Sequence, residues 1–376
     1  MPEFIAPVIS AALLDKLKAC KTLPSLPIIA LKVIELARSP SAGTSDLAAL
    51  ISSDPSLSAK TLAASNSVFY GNDEYSSLQQ AINRMGMDSA LSLALSFELT
   101  RHPKQQKNGM CLDTFWKRAV ISGMAVREIK KLLNLKFDVE TTFLAAIIQD
   151  IGMLAFNELD PDIYGVIFHS SRSHRQLASF EEREYGSCHV AVGYWLGNHW
   201  GLPEKHIQLI ASSHKTAKNI PAQATDKKVL ALSGLLADAW LSSNQEMAMT
   251  LAYQASQDYL GMSEQQFSHL LLGIQDKLPE VAKLFEITTP ASIDTYNLLQ
   301  EAKQLLVERN LRIVQKLEQQ QREIDDLRKN SAKLQEQLKR DPLTGIFNRQ
   351  FTEKQLNNFF KTMPSIDNCL AVVFID

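Results

Sequence analysis

The four cysteines, Cys20, Cys111, Cys188 and Cys369, are the first residues of this sequence whose type and spacing could support chemistry. Cysteine thiolates that bind zinc are typically close in sequence, as in CxxC pairs, and disulfide frameworks have their own dense spacing. These four lie far apart with no CxxC pair, which predicts neither a zinc site nor a disulfide framework. Reduced thiols are typical of a cytoplasmic protein, and we expect that location.

The composition indicates a folded chain without a bias toward nucleic acid. Hydrophobic residues make up 45% of the 376 residues, which is enough for sizeable cores in two or more domains. The formal net charge of -2 gives no general electrostatic attraction for nucleic acid, which requires a basic stripe. No apolar run reaches the roughly eighteen residues of a membrane span. We therefore expect no nucleic-acid partner and no membrane segment.

Helical patterns follow one another along the first 290 residues. Apolar residues recur at helical spacing in runs such as SSLQQAINRMG, DSALSLALSFEL, LDTFWKRAVISGMAVREIKKLL and VETTFLAAIIQDIGMLAFNEL. Gly86 and Gly152 break or close turns between these runs. No alternating strand pattern precedes residue 368. The pattern predicts one all-α domain over residues 1–290, with TTPAS at 288–292 as the hinge that follows it.

The stretch from Asn297 to Arg340 has a heptad repeat and contains no Pro or Gly. Two series recur every seven residues and are offset by three or four, as the d and a positions of a coiled coil are. The d series is Leu299, Leu306, Ile313, Gln320, Leu327 and Leu334, and the a series is Asn310, Leu317, Ile324, Ser331 and Leu338. A single helix of this length is a rod of roughly 65 Å. Residues 291–340 are therefore predicted to be a hinge and a coiled-coil helix that needs a partner.

Asn310 indicates which kind of coiled coil to expect. An Asn at an a position pairs best with the same residue across a parallel two-stranded coil, and it fixes the register of the two strands. We therefore expect a homodimer. Lys303, Gln320 and Ser331 weaken the seam, which leaves open the alternative of a single helix packed on its own domain.

Six stretches between about residues 20 and 240 carry a family resemblance. They are LPIIALKVIELARSP, DLAALISSDPSLSAKTLAASNSVFYG, SSLQQAINRMG, FWKRAV, AAIIQDIG and HVAVGYWLGNHWGLPEKHIQLIASSH, in this order. Together they resemble the HDOD family, a branch of the HD superfamily. The resemblance implies an all-α domain and a signalling module that recognises a ligand or a protein, which the sequence does not identify.

The resemblance also implies where a metal site would lie. HD-superfamily phosphohydrolases hold one or two divalent metals with a His, a His-Asp doublet and a distal Asp, and a metal-bound water is the nucleophile. In this sequence Arg118 stands in place of the first His, and Gln149 in place of the His of the doublet. A guanidinium has no lone pair to donate and repels a metal, and a neutral amide is a poor ligand. We therefore expect a degenerate site in a domain that is not a hydrolase.

Four residues resemble retained members of the ligand set, namely Asp150, His189, His214 and Asp238. We interpret Asp150 as a helix cap or as a buried carboxylate paired with Arg118. We interpret the two histidines as core or rim side chains that are bonded to backbone carbonyls. The alternative is a displaced metal site on these four residues, which would retain metal-dependent phosphohydrolase activity.

The segments RDPLTGIFNRQFTEKQL and CLAVVFID follow the coil. Pro342 ends the helix, Gly345 allows a tight turn, and CLAVVFID is typical of a buried strand. DPLTGIFNR resembles the entry of GGDEF domains, the diguanylate cyclases. The resemblance implies that residues 341–376 begin such a domain, and that Asp376 binds Mg²⁺ or Mn²⁺ on GTP when the domain is complete. Residues 1–376 lack the GGDEF signature, so we expect no catalytic residue, no cofactor and no cyclase activity from them alone.

These features predict an all-α HDOD domain, then a long coiled-coil helix, then a truncated α/β GGDEF start. The predicted function is bacterial-type signal transduction, in which the HDOD domain regulates a diguanylate cyclase through a dimeric coiled coil. Such a cyclase converts two GTP to cyclic di-GMP. Two alternatives stay open: a metal-dependent phosphohydrolase of the HD superfamily, and a non-enzymatic interaction scaffold.

Overall fold

The computed structural model describes residues 6–21, 23, 26–39, 41–67, 70, 75–100, 108–362 and 373. These residues form α-helices, one short 3₁₀ helix (Ala217–Asn219) and connecting turns, and no β-strand occurs among them. The chain divides into two compact units, Met1–Leu305 and Leu306–Asp376. The prediction that the first part of the chain is an all-α domain is therefore confirmed.

The helices of the first unit are short for the most part, with turns of a few residues between them. They are α1 (Ala11–Ala19), α2 (Ile28–Arg38), α3 (Thr44–Ser52), α4 (Pro55–Ser65), α5 (Leu78–Met85), α6 (Met87–Leu99), α7 (Leu112–Leu133), α8 (Val139–Ile148), α9 (Gly152–Leu159), α10 (Pro161–Ser170), α11 (His174–Tyr185), α12 (His189–His199), α13 (Glu204–Ile210), α14 (Thr225–Leu241), α15 (Gln245–Leu260), α16 (Glu264–Leu284) and the start of α17 (Thr295–Gln337).

Helix α7 lies at the centre of the core and packs against α8, α14 and α16. Its buried side chains cover most of its circumference, which is the pattern of a helix enclosed by neighbours rather than one on the surface. Helix α8 is apolar along most of its length. The segment Val139–Leu159 is long and apolar enough to cross a membrane, but 83% of its most apolar window is buried inside the domain.

Two glycines allow α9 and α12 to approach closely. A Cβ atom added at Gly152 would lie 2.0 Å from the backbone oxygen of His189, and one at Gly193 would lie 3.4 Å from the backbone nitrogen of Gly152. Only hydrogen fits at Gly152, because the neighbouring atom belongs to the backbone and cannot rotate away. This contact brings the first turn of α12 beside the turn that connects α8 to α9.

The first turns of α17 belong to the first unit. Leu299 and Ala302 are buried, and Lys303 forms a 2.8 Å ion pair with Glu264 of α16. The preceding TTPAS segment is held by a 2.7 Å hydrogen bond from Thr288 Oγ1 to Asp113. The compact unit thus extends beyond the predicted boundary at residue 290. Leu299, predicted to lie in the coil seam, packs in the core of its own domain instead.

The second unit contains the rest of α17, a tight turn and α18 (Arg349–Thr362). Asp341 organises the turn, because its Oδ1 accepts hydrogen bonds from the backbone nitrogens of Leu343 and Thr344 at 3.1 and 2.9 Å. Gly345 has a φ of 73°, which a glycine adopts at little cost. The predicted strand CLAVVFID, with Asp376, lies outside the described residues apart from Val373, so the α/β character of this segment stays a prediction.

Gly152→Ala tests the close approach of α9 and α12. The added methyl group meets the backbone of His189, so we expect a loss of about 3 kcal/mol or more in the free energy of unfolding, measured with urea. Gly197→Ala in α12 is the matched control, since its added atom would lie 3.5 Å from its nearest neighbours. The control should be within about 1 kcal/mol of wild type. Equal effects of the two substitutions would contradict this account.

Candidate functional site

Four side chains from separate elements converge at the α9–α12 contact. Asp150 lies in the turn between α8 and α9, His174 and His189 begin α11 and α12, and His214 follows α13. One ligand atom from each of these four side chains lies within 4.8 Å of the other three. The described residues thus bring together three imidazoles and one carboxylate, a donor set that suits a transition metal ion.

The separations within this cluster resemble those of a metal site. Asp150 Oδ1 lies 3.2, 3.6 and 3.8 Å from the Nε2 atoms of His174, His189 and His214. The Nε2 atoms of His189 and His214 are 3.4 Å apart. A tetrahedral zinc ion with bonds of about 2.0–2.1 Å separates its ligands by about 3.3–3.4 Å. Only small movements of these side chains would therefore place all four around one ion.

Buried carboxylate and hydroxyl groups fix the orientation of His189. Glu181 Oε2 lies 2.5 Å from His189 Nδ1 and accepts a 2.8 Å hydrogen bond from the His189 backbone nitrogen. The Tyr164 hydroxyl donates to the other oxygen of Glu181 at 2.7 Å. Tyr164, Glu181 and His189 are all fully buried. A carboxylate on Nδ1 turns Nε2 toward the cluster, which is how metal-binding histidines are typically held.

Arg118 occupies the other side of Asp150. Its Nε donates a 2.8 Å hydrogen bond to Asp150 Oδ2, and its Nη1 donates to Asp238 Oδ1 and, at 3.0 Å, to the Gly234 backbone oxygen. Gly234 provides the space for this arrangement, since a Cβ atom there would lie 3.0 Å from Arg118 Nη2. Arg118 therefore links α7, the α8–α9 turn and α14.

Gln149 is buried beside this ion pair. Its Nε2 donates a 3.1 Å hydrogen bond to the backbone oxygen of Ala146. Its Oε1 has no hydrogen-bond partner among the described residues. The Gln149 amide nitrogen thus bonds the backbone of α8, at whose end Gln149 lies. Gln149 is not a member of the His and Asp cluster.

The groups around Asp150 favour its ionised form. Burial opposes ionisation, but the facing His174 and Arg118 groups outweigh burial and hold the pKa of Asp150 well below its ordinary value. Burial lowers the pKa of His174, which keeps this imidazole neutral and able to donate a lone pair. Burial also raises the pKa of Asp238 to about 6, against the opposing effect of Arg118.

His189 behaves differently from His174. Burial would lower its pKa, but the Glu181 and Asp150 carboxylates outweigh burial and raise the pKa of His189 to about 10. Without a metal ion, His189 is therefore an imidazolium that bridges two carboxylates. A metal ion at Nε2 would displace one proton from this ring, so metal binding here is coupled to proton release.

The structure changes the ligand set that the sequence suggested. Asp150, His189 and His214 come together as that alternative requires, but Asp238 bonds Arg118 and lies outside the cluster, and His174 takes its place. The interpretation of His189 as bonded to a backbone carbonyl is also wrong, because its partner is the carboxylate of Glu181.

His174 and Glu181 were not predicted from the sequence, although helical spacing gives a signal for both residues. His174, Leu177 and Glu181 stand three and four residues apart in α11 and share its inward face. Leu177 is buried, so the polar residues on the same face are expected to be buried too. Buried polar side chains need partners, which makes them candidates for a site.

The fold and this site define an all-α domain like those of the HD superfamily. The HDOD domain family matches residues 23–216, which is more than half of the chain. The chain therefore belongs to the HDOD family. A search of the curated proteins found no match.

Solved structures share this fold. An HDOD domain protein of unknown function from Geobacter sulfurreducens has a TM-score of 0.58 and 17% identity, over 73% of this chain and 96% of its own. A protein from Shewanella amazonensis, suggested to be a metal-dependent phosphohydrolase, has a TM-score of 0.55 and 17% identity, over 73% and 96%. A protein from Marinobacter aquaeolei, suggested to act in signal transduction, has a TM-score of 0.53 and 22% identity, over 76% and 63%. At these identities the likeness shows the fold alone.

Glu181→Gln tests how His189 is held. The variant loses a hydrogen bond between charged, buried groups, so chelator-treated protein should be destabilised by about 1.5–3 kcal/mol near pH 6. A raised His189 pKa stabilises the fold fully below its ordinary value of 6.5 and less as pH rises toward about 10. The stability gap between wild type and Glu181→Gln should therefore narrow at about pH 9.

Glu182→Gln is the matched control for this experiment, because Glu182 is the neighbouring exposed residue of the same helix. Thermal unfolding monitored by circular dichroism gives the stabilities. A Glu181→Gln variant as stable as Glu182→Gln at both pH values would contradict the proposed contact.

Proposed function

We propose that this protein transmits a signal from its HDOD domain to a diguanylate cyclase output through a parallel two-stranded coiled coil. The observation that carries the proposal is the apolar stripe on α17, which is exposed and which the described residues of its own unit do not cover. Ile313, Leu317, Ile324 and Leu327 are 47, 59, 43 and 62% exposed. Four large apolar side chains at heptad spacing along one helix favour a second helix as their partner.

A second copy of this chain is the partner that the sequence of α17 favours. Asn310 is exposed at an a position, where it can pair with its own copy. Glu323 at a g position and Arg328 at the following e position carry opposite charges, which suits a parallel pair of identical strands. The polar residues Gln320 and Ser331 weaken the seam without reversing its preference for a second helix as partner.

The turn after α17 supports an ordered connection to an output domain. In addition to the Asp341 bonds, Asn348 Nδ2 donates a 2.6 Å hydrogen bond to the Leu338 oxygen, and Arg340 donates a 2.8 Å bond to the Gly345 oxygen. These bonds tie the end of α17 to the start of α18. Asp341, Gly345 and Asn348 belong to the DPLTGIFNR motif that resembles the GGDEF entry.

A dimer is required by the proposed output chemistry. In a diguanylate cyclase, the 3′-hydroxyl of each GTP attacks the α-phosphate of the other, and two pyrophosphates leave. Mg²⁺ or Mn²⁺ would offset the phosphate charge, with Asp376 as one of its ligands in a complete domain. Each half-site comes from one chain, so a coil that changes the separation or rotation of the two chains would control the reaction.

Leu317→Glu with Ile324→Glu tests the coil. Buried like charges at two a positions should convert a wild-type dimer to a monomer, as measured by light scattering, with the dimer dissociation constant raised about a hundredfold or more. Gln315→Glu with Gln319→Glu adds the same charge at f and c positions and should leave the dimer intact. In the complete gene product, cyclic di-GMP formation from GTP should fall with the dimer.

A monomeric wild type, or a double a-position variant that stays dimeric, would overturn the coiled-coil proposal. If the gene product forms a stable dimer but makes no cyclic di-GMP, the coiled-coil proposal stands and the cyclase proposal fails. That outcome favours the interaction scaffold, in which the HDOD domain and the coil bind partners without catalysis.

The His and Asp cluster favours a second candidate function, a metal-dependent phosphohydrolase. Asp150, His174, His189 and His214 would hold the ion, which would supply Lewis acidity and a positive field for a phosphate group. Two features weigh against hydrolysis. Four protein ligands fill a tetrahedral ion and leave no open position for a substrate, and Arg118 holds Asp150 Oδ2 and Asp238 Oδ1.

An assay with bis(p-nitrophenyl) phosphate separates the two candidates. We expect protein supplied with Zn²⁺, Mn²⁺ or Fe²⁺ to hydrolyse the ester no faster than Asp150→Ala, because the ion would have no free coordination position. Hydrolysis that depends on the metal and is lost in Asp150→Ala would establish the phosphohydrolase instead. Asp162→Ala, at an exposed position, is the control for a nonspecific loss.

A further inference from the structure

The two carboxylate oxygens of Asp150 face different groups. Oδ2 accepts the hydrogen bond from Arg118, while Oδ1 faces the three imidazoles. We propose that Arg118 is a built-in cation that takes the place of a second metal ion, so that this pocket binds one transition metal ion on Asp150, His174, His189 and His214.

The balance of charge supports a single ion. Three carboxylates meet in this region, Asp150, Asp238 and Glu181, and they carry three negative charges when ionised. Arg118 and one divalent ion carry three positive charges when His189 is neutral. A second divalent ion would leave an excess of positive charge in a largely buried region, which is costly.

The hydrogen bonds of Arg118 also remove the ligands that a second ion would need. Its Nη1 binds both Asp238 Oδ1 and the Gly234 oxygen, and its Nε binds Asp150 Oδ2. Arg118 itself is 7% exposed, so it cannot swing into solvent without breaking all three contacts. Gln149, beside it, offers only an amide oxygen, which transition metals bind weakly.

The remaining donor set indicates which ions the pocket prefers. Three imidazoles and one carboxylate suit Zn²⁺, Co²⁺ or Ni²⁺ better than Mg²⁺ or Ca²⁺, which prefer oxygen ligands. Glu181 holds His189 from behind, as an outer-shell carboxylate does in zinc sites. The His214 side chain is 28% exposed, which gives an ion a route from solvent.

The tests measure the metal that the HDOD domain binds, and not dimerisation, cyclase activity or hydrolysis. The proposal is therefore independent of the signalling function, whereas the phosphohydrolase candidate requires the same ion and is distinguished from this proposal by the hydrolysis assay. Metal content and the absorption of bound Co²⁺ are the two measurements.

Titration of chelator-treated protein with Zn²⁺ should give one ion per chain, measured by elemental analysis after desalting. Bound Co²⁺ should give the intense visible absorption of a tetrahedral site. The double variant Arg118→His with Gln149→His should bind two ions per chain, because it exchanges the cation and the amide for two imidazoles. Arg322→His with Gln337→His, on the exposed part of α17, should remain at one ion.

A second pair of variants tests the proposal without altering Arg118. Asp238→Asn should still bind one ion with less than about a tenfold loss of affinity, because Asp238 contacts Arg118 and not the ion. Asp150→Asn should lose affinity by about a hundredfold or more. Circular dichroism verifies that each variant is folded.

Three results would overturn the proposal: no ion or two ions in wild type, one ion in the folded double histidine variant, or equal losses in Asp238→Asn and Asp150→Asn. The first result would show that the pocket does not bind a single ion. The second would show that Arg118 does not take the place of a second ion, and the third would place Asp238 among the ligands.

Discussion

The buried ion pair between Arg118 and Asp150 is the interaction on which the rest of this domain depends. It joins the central helix α7 to the α8–α9 turn, and through Asp238 it reaches α14. Loss of one partner from a buried pair costs about 3–5 kcal/mol, because the other charge stays in the core without compensation. Arg118 thus serves to stabilise the fold.

Around this pair the domain combines two kinds of constraint. Close backbone contact at Gly152 sets the distance between the α8–α9 turn and α12, and a chain of short hydrogen bonds from Tyr164 through Glu181 sets the angle of the His189 ring. The first constraint is steric and the second electrostatic. Neither alone would bring an imidazole nitrogen within reach of Asp150.

Much of the fold was predictable from the sequence, because helical periodicity and glycine positions are local signals. The identity of the site was only partly predictable. Arg118 and Gln149 were recognisable as departures from a known motif, but the exchange of Asp238 for His174 depends on which helices meet in space. Leu299 shows the same limit. It occupies a heptad position, but it packs in the core of its own domain, because the first turns of α17 belong to that domain.

The exposure of His214 has a kinetic consequence. Asp150 and His189 are fixed by buried partners, whereas His214 lies at the rim of the pocket. Under the single-ion proposal, an ion would enter from solvent past His214, which is the most exposed of the four side chains, and its release would begin there. Motion of this side chain would then affect how fast the ion exchanges, while the buried ligands would determine how tightly it is held.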